Sequence, residues 1–257
     1  MKNTITFFAL TICSILVYPQ KIIQANDILN NIKEEKEIRH TNAVIKGVLD
    51  FTFMDNALLS LPKKRRWWKS SGTNNIEKQI KSVIIFENCT FQNDVLAYIP
   101  NKDNGYVFTA NFENILSFKN CTFKRKAMFK YSNFENNADF TGSKFNSDTT
   151  FKYAKFKGKC NFSSTYFKKP ATFKYANFRE YASFKNSVFN ESISFKYAEF
   201  KRGVSFNNTK FNEDLDIKYT KISGKFDIKN MKVAFEIDSK YTEINGNGFT
   251  KYLLKNN

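Results

Sequence analysis

Two groups of cationic and aromatic residues are the parts of this sequence best equipped for chemistry, and the chemistry they offer is binding. The first is the run Lys63-Lys64-Arg65-Arg66-Trp67-Trp68-Lys69, in which five cations flank the only two Trp of the chain. Cations attract phosphate or sulfate without regard to sequence, and Trp stacks on bases or sugars or settles at a lipid headgroup. The same run also reads as a solvated loop whose Trp pair packs on the outside of the body. The second group is a column repeated every 22 residues: Lys130-Tyr131, Lys152-Tyr153, Lys174-Tyr175, Lys196-Tyr197, Lys218-Tyr219 and Lys240-Tyr241. On strands stacked at about 4.8 Å, six such ammonium groups repel one another unless anions or solvent relieve them. A cationic, aromatic stripe suits an extended anionic polymer such as an acidic polysaccharide. The plainer reading is a repeat that copies itself, with Tyr stacking for stability and Lys keeping the surface soluble.

Residues for catalysis are sparse. His40 is the only His, so neither a Ser-His-Asp set nor a His-rich metal site can be assembled, and no phosphate-binding glycine loop is present. His40 reads as an ordinary structural or exposed residue. Asp and Glu are scattered over turns, and a carboxylate site in the segment about residues 54–79, using Asp55 or Glu77, is the one hydrolase reading to set against a binding role. No cofactor is expected. Cys89 and Cys121 are expected in one inward column of successive coils, close enough for a disulfide or simply small buried thiols. With Cys160 they leave an odd number beyond the leader, which is not a disulfide framework.

The positioning elements follow from a repeat. From Phe112 the large apolar residues fall at 112, 118, 123, 129, 134, 140, 145, 151, 156, 162 and onward to Phe211, then Ile217, Ile222, Ile228 and Val233, with steps alternating six and five. A helix would put residues five or six apart on different faces, so this is not an amphipathic helix. Two residues before most of them stands a smaller side chain, as in Ala138-Asp139-Phe140, Cys160-Asn161-Phe162 and Ala176-Asn177-Phe178. In these units the chain resembles the pentapeptide-repeat family, in its Phe-rich branch with alternating five- and six-residue units. The resemblance covers about residues 43–244. It implies an all-β, right-handed quadrilateral parallel β-helix of about 22 residues per coil, with the large residue and the small one before it pointing inward. Each buried Phe then contributes roughly 1.5–3 kcal/mol, and stability adds approximately coil by coil.

Carried back, the register places Ile45, Phe51, Ile80, Phe86 and Phe91 inward and leaves two insertions, near 54–79 and 98–106, on the face that carries Lys-Tyr. Open coil ends expose strand edges and need covers. Residues 26–42 are expected to form an N-terminal cap, with Asp27 capping a helix over residues 28–38, and residues 250–257 a C-terminal cap or tail.

Composition and the amino end bear on location and partners. Lys plus Arg number 41 against 24 acidic residues, a formal charge of +17. This favours polyanions or an anionic membrane surface. Lys2, an apolar run over residues 5–17 and Ile23-Gln24-Ala25 read as a signal peptide spanning 1–25. The run is shorter than the ~20 residues that span a bilayer; an uncleaved anchor and a lipidated Cys13 are the alternatives. The expectation is a non-enzymatic interaction or structural scaffold, exported to the periplasm, the outer-membrane surface or the exterior of a bacterium. Its partner would be an acidic polysaccharide, an anionic membrane surface or an envelope protein, with nucleic acid the weaker case. The resemblance also allows a DNA-mimicking topoisomerase inhibitor. Such mimics are acidic and cytoplasmic, so the charge and the leader argue against it.

Overall fold

An inward small residue, an outward residue and an inward ring is the alternation of extended chain, whose successive side chains point to opposite faces. The computed structural model, which describes residues 21–59, 61, 74–101, 103 and 105–256, shows the repeats as strands mostly two residues long, such as Ala127–Met128, Asn133–Phe134, Ala138–Asp139 and Lys144–Phe145. Strands one coil apart pair in parallel, and the chain winds through four sheets as a quadrilateral β-solenoid. The pairing Ala127↔Thr149, Phe134↔Phe156, Ala138↔Cys160 and Phe123↔Phe145, one from each sheet, advances 22 residues per coil. We number the faces in that order, so that the first carries Ala127–Met128 and Phe129, and the Lys-Tyr column stands at the corner between first and second faces.

The large residues of the repeat line the axis. Phe129, Phe151, Phe173 and Phe195 are all fully buried and stack with centroids 5.1, 5.0 and 5.1 Å apart. Columns of opposite faces meet edge to face across the axis, as where Phe151 and Phe162 lie 5.1 Å apart at 78°. Both geometries suit the ring quadrupole and add about 0.5–1.5 kcal/mol per pair beyond burial. Ser and Thr in the small-residue slots are buried too, and most of their hydroxyls donate to backbone carbonyls: Thr165 Oγ1 and Ser187 Oγ both reach the Phe162 oxygen, at 2.6 and 2.7 Å. Ile228 and Val233, near the last coil, are only half-buried.

The amino end differs from the sequence expectation. Strand β1 (Lys21–Gln24) already belongs to the fourth sheet, pairing Lys21↔Ala43 through Gln24↔Lys46. Helix α1 (Ala25–Lys33) then replaces the first two faces of the first coil and buries Ala25, Ile28 and Ile32 over its open end. The helix is earlier and shorter than residues 28–38. Gln24, not Asp27, stands at the N-cap without a side-chain bond, and Asp27 lies in the first turn, where the dipole favours it. A Schellman ending stops the helix: Glu35 turns left-handed at φ 56°, Lys36 N–H reaches Asn31 O and Glu35 N–H reaches Ile32 O, both at 3.0 Å. That frees Ile38 for strand β2 (Ile38–Thr41), paired with Ile84. Strand pairing thus starts at residue 21 rather than 43.

Both insertions do fall at the Lys-Tyr corner, but they are not plain loops. The first begins with the short helix Met54–Leu58, and it ends in Asn75–Ile80, which pairs with Val107–Phe112 over six residues. In the second, Tyr98–Pro100 turns back antiparallel on Val107–Thr109. The second sheet is therefore widened where the insertions enter. At the far end a helix spans Phe249–Asn256. It lies over the third-face edge, where Tyr252 Oη donates to Phe226 O at 3.1 Å and the two rings lie 5.6 Å apart.

Candidate functional site

The Lys-Tyr corner is built by a four-residue turn. Its first residue is the inward Phe, Lys comes second, Tyr third, and the fourth N–H closes on the first carbonyl: Ala154 N to Phe151 O and Ala176 N to Phe173 O, both 3.0 Å. A type II turn needs positive φ at its third residue. Tyr131, Tyr153, Tyr175, Tyr197, Tyr219 and Tyr241 all adopt it, at φ 64°, 60°, 59°, 59°, 56° and 61°. An aromatic residue in left-handed backbone is an outlier. At the diagonally opposite turn the same position holds Asn120, Asn186, Asn208 and Asn230, which tolerate this conformation. The Tyr column is thus held by something other than backbone preference.

Stacking supplies it. Successive Tyr rings from Tyr131 to Tyr241 lie 4.9, 4.6, 4.7, 4.6 and 4.9 Å apart, nearly parallel. The corner is also tied coil to coil by backbone, each Tyr N–H donating to the carbonyl of the next Lys, as Tyr153 N to Lys174 O at 2.9 Å. The Tyr rings and the backbone of the Lys residues are therefore fixed at strand spacing. The Lys side chains are mostly half-buried along the stack. The ammonium groups of Lys130, Lys152, Lys196 and Lys240 lie 4.8, 5.1, 5.3 and 5.1 Å from the centroids of their own Tyr rings, inside the range of cation–π attraction. Lys218 instead pairs with Asp238 at 2.7 Å. Asp238 holds its hydrogen bond from Lys218, which keeps its carboxyl below the ordinary value, and the same bond raises Lys218. Lys152, Lys174 and Lys218 also edge a shallow groove of about 620 Å³ on the first face.

Sequence reasoning missed three neighbours of this column. Tyr98, in the second insertion, sits in the Lys register and caps the stack: it lies 5.9 Å from Tyr131, and Lys130 Nζ donates to its hydroxyl at 3.2 Å. Asp216 and Asp238 occupy the outward slot of the first face beside Lys218 and Lys240. The 22-residue register carries both signals, because position 98 aligns with Lys130 once the insertion is removed. Phe53 holds the matching left-handed position in an earlier coil, φ 50°, with the Lys33 and Lys78 ammonium groups 5.5 and 5.3 Å from its ring.

The other candidates are placed as follows. Lys63, Lys64, Arg65, Arg66, Trp67, Trp68 and Lys69 lie outside the described residues, as does the leader through residue 20. Cys89 and Cys121 do share one inward column; both are buried and free, as is Cys160 on the third face. Within the pair, the hydrogen bond from Cys121 favours ionisation of Cys89, while burial pushes Cys121 up. His40 lies on β2 against Phe86, with its pKa lowered by burial and then by Lys21. Glu77 accepts from the amides of Asn75 and Asn111 at 2.8 and 3.0 Å, a structural use. Among the described residues no three His, Cys, Asp or Glu side chains gather for a metal, and no helix is long and apolar enough to cross a membrane.

A family model described as pentapeptide repeats (nine copies) matches the chain in overlapping windows over residues 108–154, 129–177, 151–190 and 173–221. Neither the curated proteins nor the solved structures compared with the chain give a match. The matched windows are the coils whose Phe ladder and short parallel strands are described above, and this chain belongs to the pentapeptide-repeat family.

Proposed function

We propose that this protein is a non-enzymatic scaffold, exported to the cell envelope or exterior, that holds polyanionic material along its Lys-Tyr corner. The observation that carries the reading is the column itself: one cation per coil for six coils, tied by backbone and braced on stacked Tyr. Like charges at such spacing cost on the order of 1 kcal/mol per neighbouring pair even in bulk water, and a bound polyanion offsets that cost. The overall charge of +17 draws the same class of partner. The apolar amino-terminal run supports export. A DNA-mimicking role is opposed by the sign of the charge.

The test compares two sextuple variants of the full chain by salt-dependent retention on immobilised polyanions. One changes Lys130, Lys152, Lys174, Lys196, Lys218 and Lys240 to Gln; the other changes six lysines elsewhere, Lys144, Lys168, Lys185, Lys210, Lys229 and Lys232. Retention lost in the first and kept in the second is the expected outcome. Equal losses would mean that the surface acts only through its total charge.

A further inference from the structure

The Lys-Tyr corner is not uniform along its length. We infer that its ligand-holding stretch is the amino-terminal half, Lys130, Lys152 and Lys174, and that this stretch takes an acidic polysaccharide through ionic and hydrogen-bond contacts rather than ring stacking. The inference rests on the polyanion reading above and adds a place and a ligand class to it.

The place follows from the outward slot of the first face, which stands next to each Lys. In the coils of Lys130, Lys152 and Lys174 this slot holds Met128, Thr150 and Thr172; in the last two coils it holds Asp216 and Asp238. Lys218 is consumed by Asp238 at 2.7 Å, and Lys196 lies close enough to Asp238 to lower its pKa. The carboxyl-terminal half of the column therefore carries its own counter-charge. Lys130 and Lys152 rest on rings, which leave their charge intact, and among the described residues no ion pair involves Lys130, Lys152 or Lys174. An anion gains most where the protein has not already supplied one.

The ligand class follows from the rings. Every interior Tyr of the column has a neighbour stacked on each side. With a ring stacked on both faces, an interior Tyr such as Tyr175, 41 % exposed, leaves its edge and hydroxyl accessible. Single-stranded nucleic acid is held largely by bases stacking on free aromatic faces, and this column offers none along its length. Duplex DNA presents one charge per ~1.7 Å of axis, about three times the density of cations set ~4.8 Å apart. A linear polysaccharide bearing a carboxylate or sulfate on its sugar rings needs neither stacking nor that charge density, and its hydroxyls can exchange hydrogen bonds with the phenol row.

The experiment measures binding of the full chain to alginate oligomers, to dextran sulfate and to single-stranded oligodeoxythymidylate at low and moderate salt. The variants are K130Q/K152Q/K174Q and K196Q/K218Q/K240Q, each checked for an unchanged thermal unfolding profile. The first triple weakens alginate binding by about tenfold or more at low salt and the second by about twofold at most, and K130R/K152R/K174R restores it. Equal losses from the two triples, in a wild type that does bind, overturn the assignment of place while leaving the polyanion reading intact. Preference of the wild type for oligodeoxythymidylate over both polysaccharides overturns the ligand class. No salt-sensitive binding to any of the three overturns the polyanion reading and the inference with it.

Discussion

Tyr153 and Tyr175 both occupy left-handed backbone, at φ 60° and 59°, and stack with centroids 4.6 Å apart at an interplanar angle of 14°. The two facts are coupled. Left-handed backbone costs an ordinary L-residue about 1–2 kcal/mol, and a stacked aromatic pair returns about 0.5–1.5 kcal/mol beyond area burial. The six Tyr of the column share five such stacks, about one for each strained turn, so stacking is of the same order as the strain.

Tyr175→Ala keeps the strain and loses both stacks, whereas Tyr175→Gly loses the stacks and relieves the strain. Ala is therefore expected to be the more destabilising of the two by about 1 kcal/mol, read as a lower urea midpoint at unchanged slope. Identical midpoints would contradict the account of the corner.

Two buried serines in equivalent small-residue slots should respond in opposite ways. Ser187 Oγ donates to Phe162 O at 2.7 Å, whereas Ser132 Oγ is buried with no hydrogen-bond partner. Ser187→Ala should cost about 1–2 kcal/mol and Ser132→Ala should be neutral or stabilising. Thermal unfolding of the two variants checks this contrast, and a similar loss in both would show that the hydroxyl of Ser132 has a partner after all.

His40 sets an acid limit on the first coils. Burial and then Lys21 lower its pKa, so the unfolded chain binds the proton more tightly than the folded one. The contribution is fully present above the unfolded value of about 6.5 and is lost as the pH falls through the lower folded value. Stability measured between pH 7 and 5 should fall for the wild type and fall less for His40→Gln. Parallel curves would remove His40 from the explanation.

The mature end of the protein can be tested through strand β1. Ile23 and Ala25 are buried, and four residues of β1 pair with residues 43–46. A chain starting at Asn26 loses that strand and exposes the edge of the fourth sheet, while one starting at Lys21 keeps both. The shorter chain should unfold at lower temperature and exchange amide protons faster at Ala43–Lys46. Equal protection in both chains would mean that β1 is dispensable and that cleavage after Ala25 is tolerated.

The solenoid was legible in the sequence because its signal is repeated. One Phe every five or six residues fixes the inward positions, and Phe-Lys-Tyr every 22 fixes the coil, so the error at any one unit is corrected by the rest. The caps occur once and have no such check. Ile28, Ile32 and Ile38 fit one helical stripe on paper, but the left-handed turn at Glu35 ends the helix and gives Ile38 to a strand. The same holds for the candidate site. The Lys and Tyr columns were visible as repeats, while the tie of Lys218 to Asp238 and the capping of the stack by Tyr98 depend on side-chain positions across coils.

The most direct test of the central claim is lysine acylation footprinting of the full chain with and without bound alginate. The account predicts protection at Lys130, Lys152 and Lys174 and unchanged labelling at Lys144, Lys210 and Lys232, which are exposed on the fourth face. Protection spread evenly over both sets, or confined to the fourth face, would contradict it.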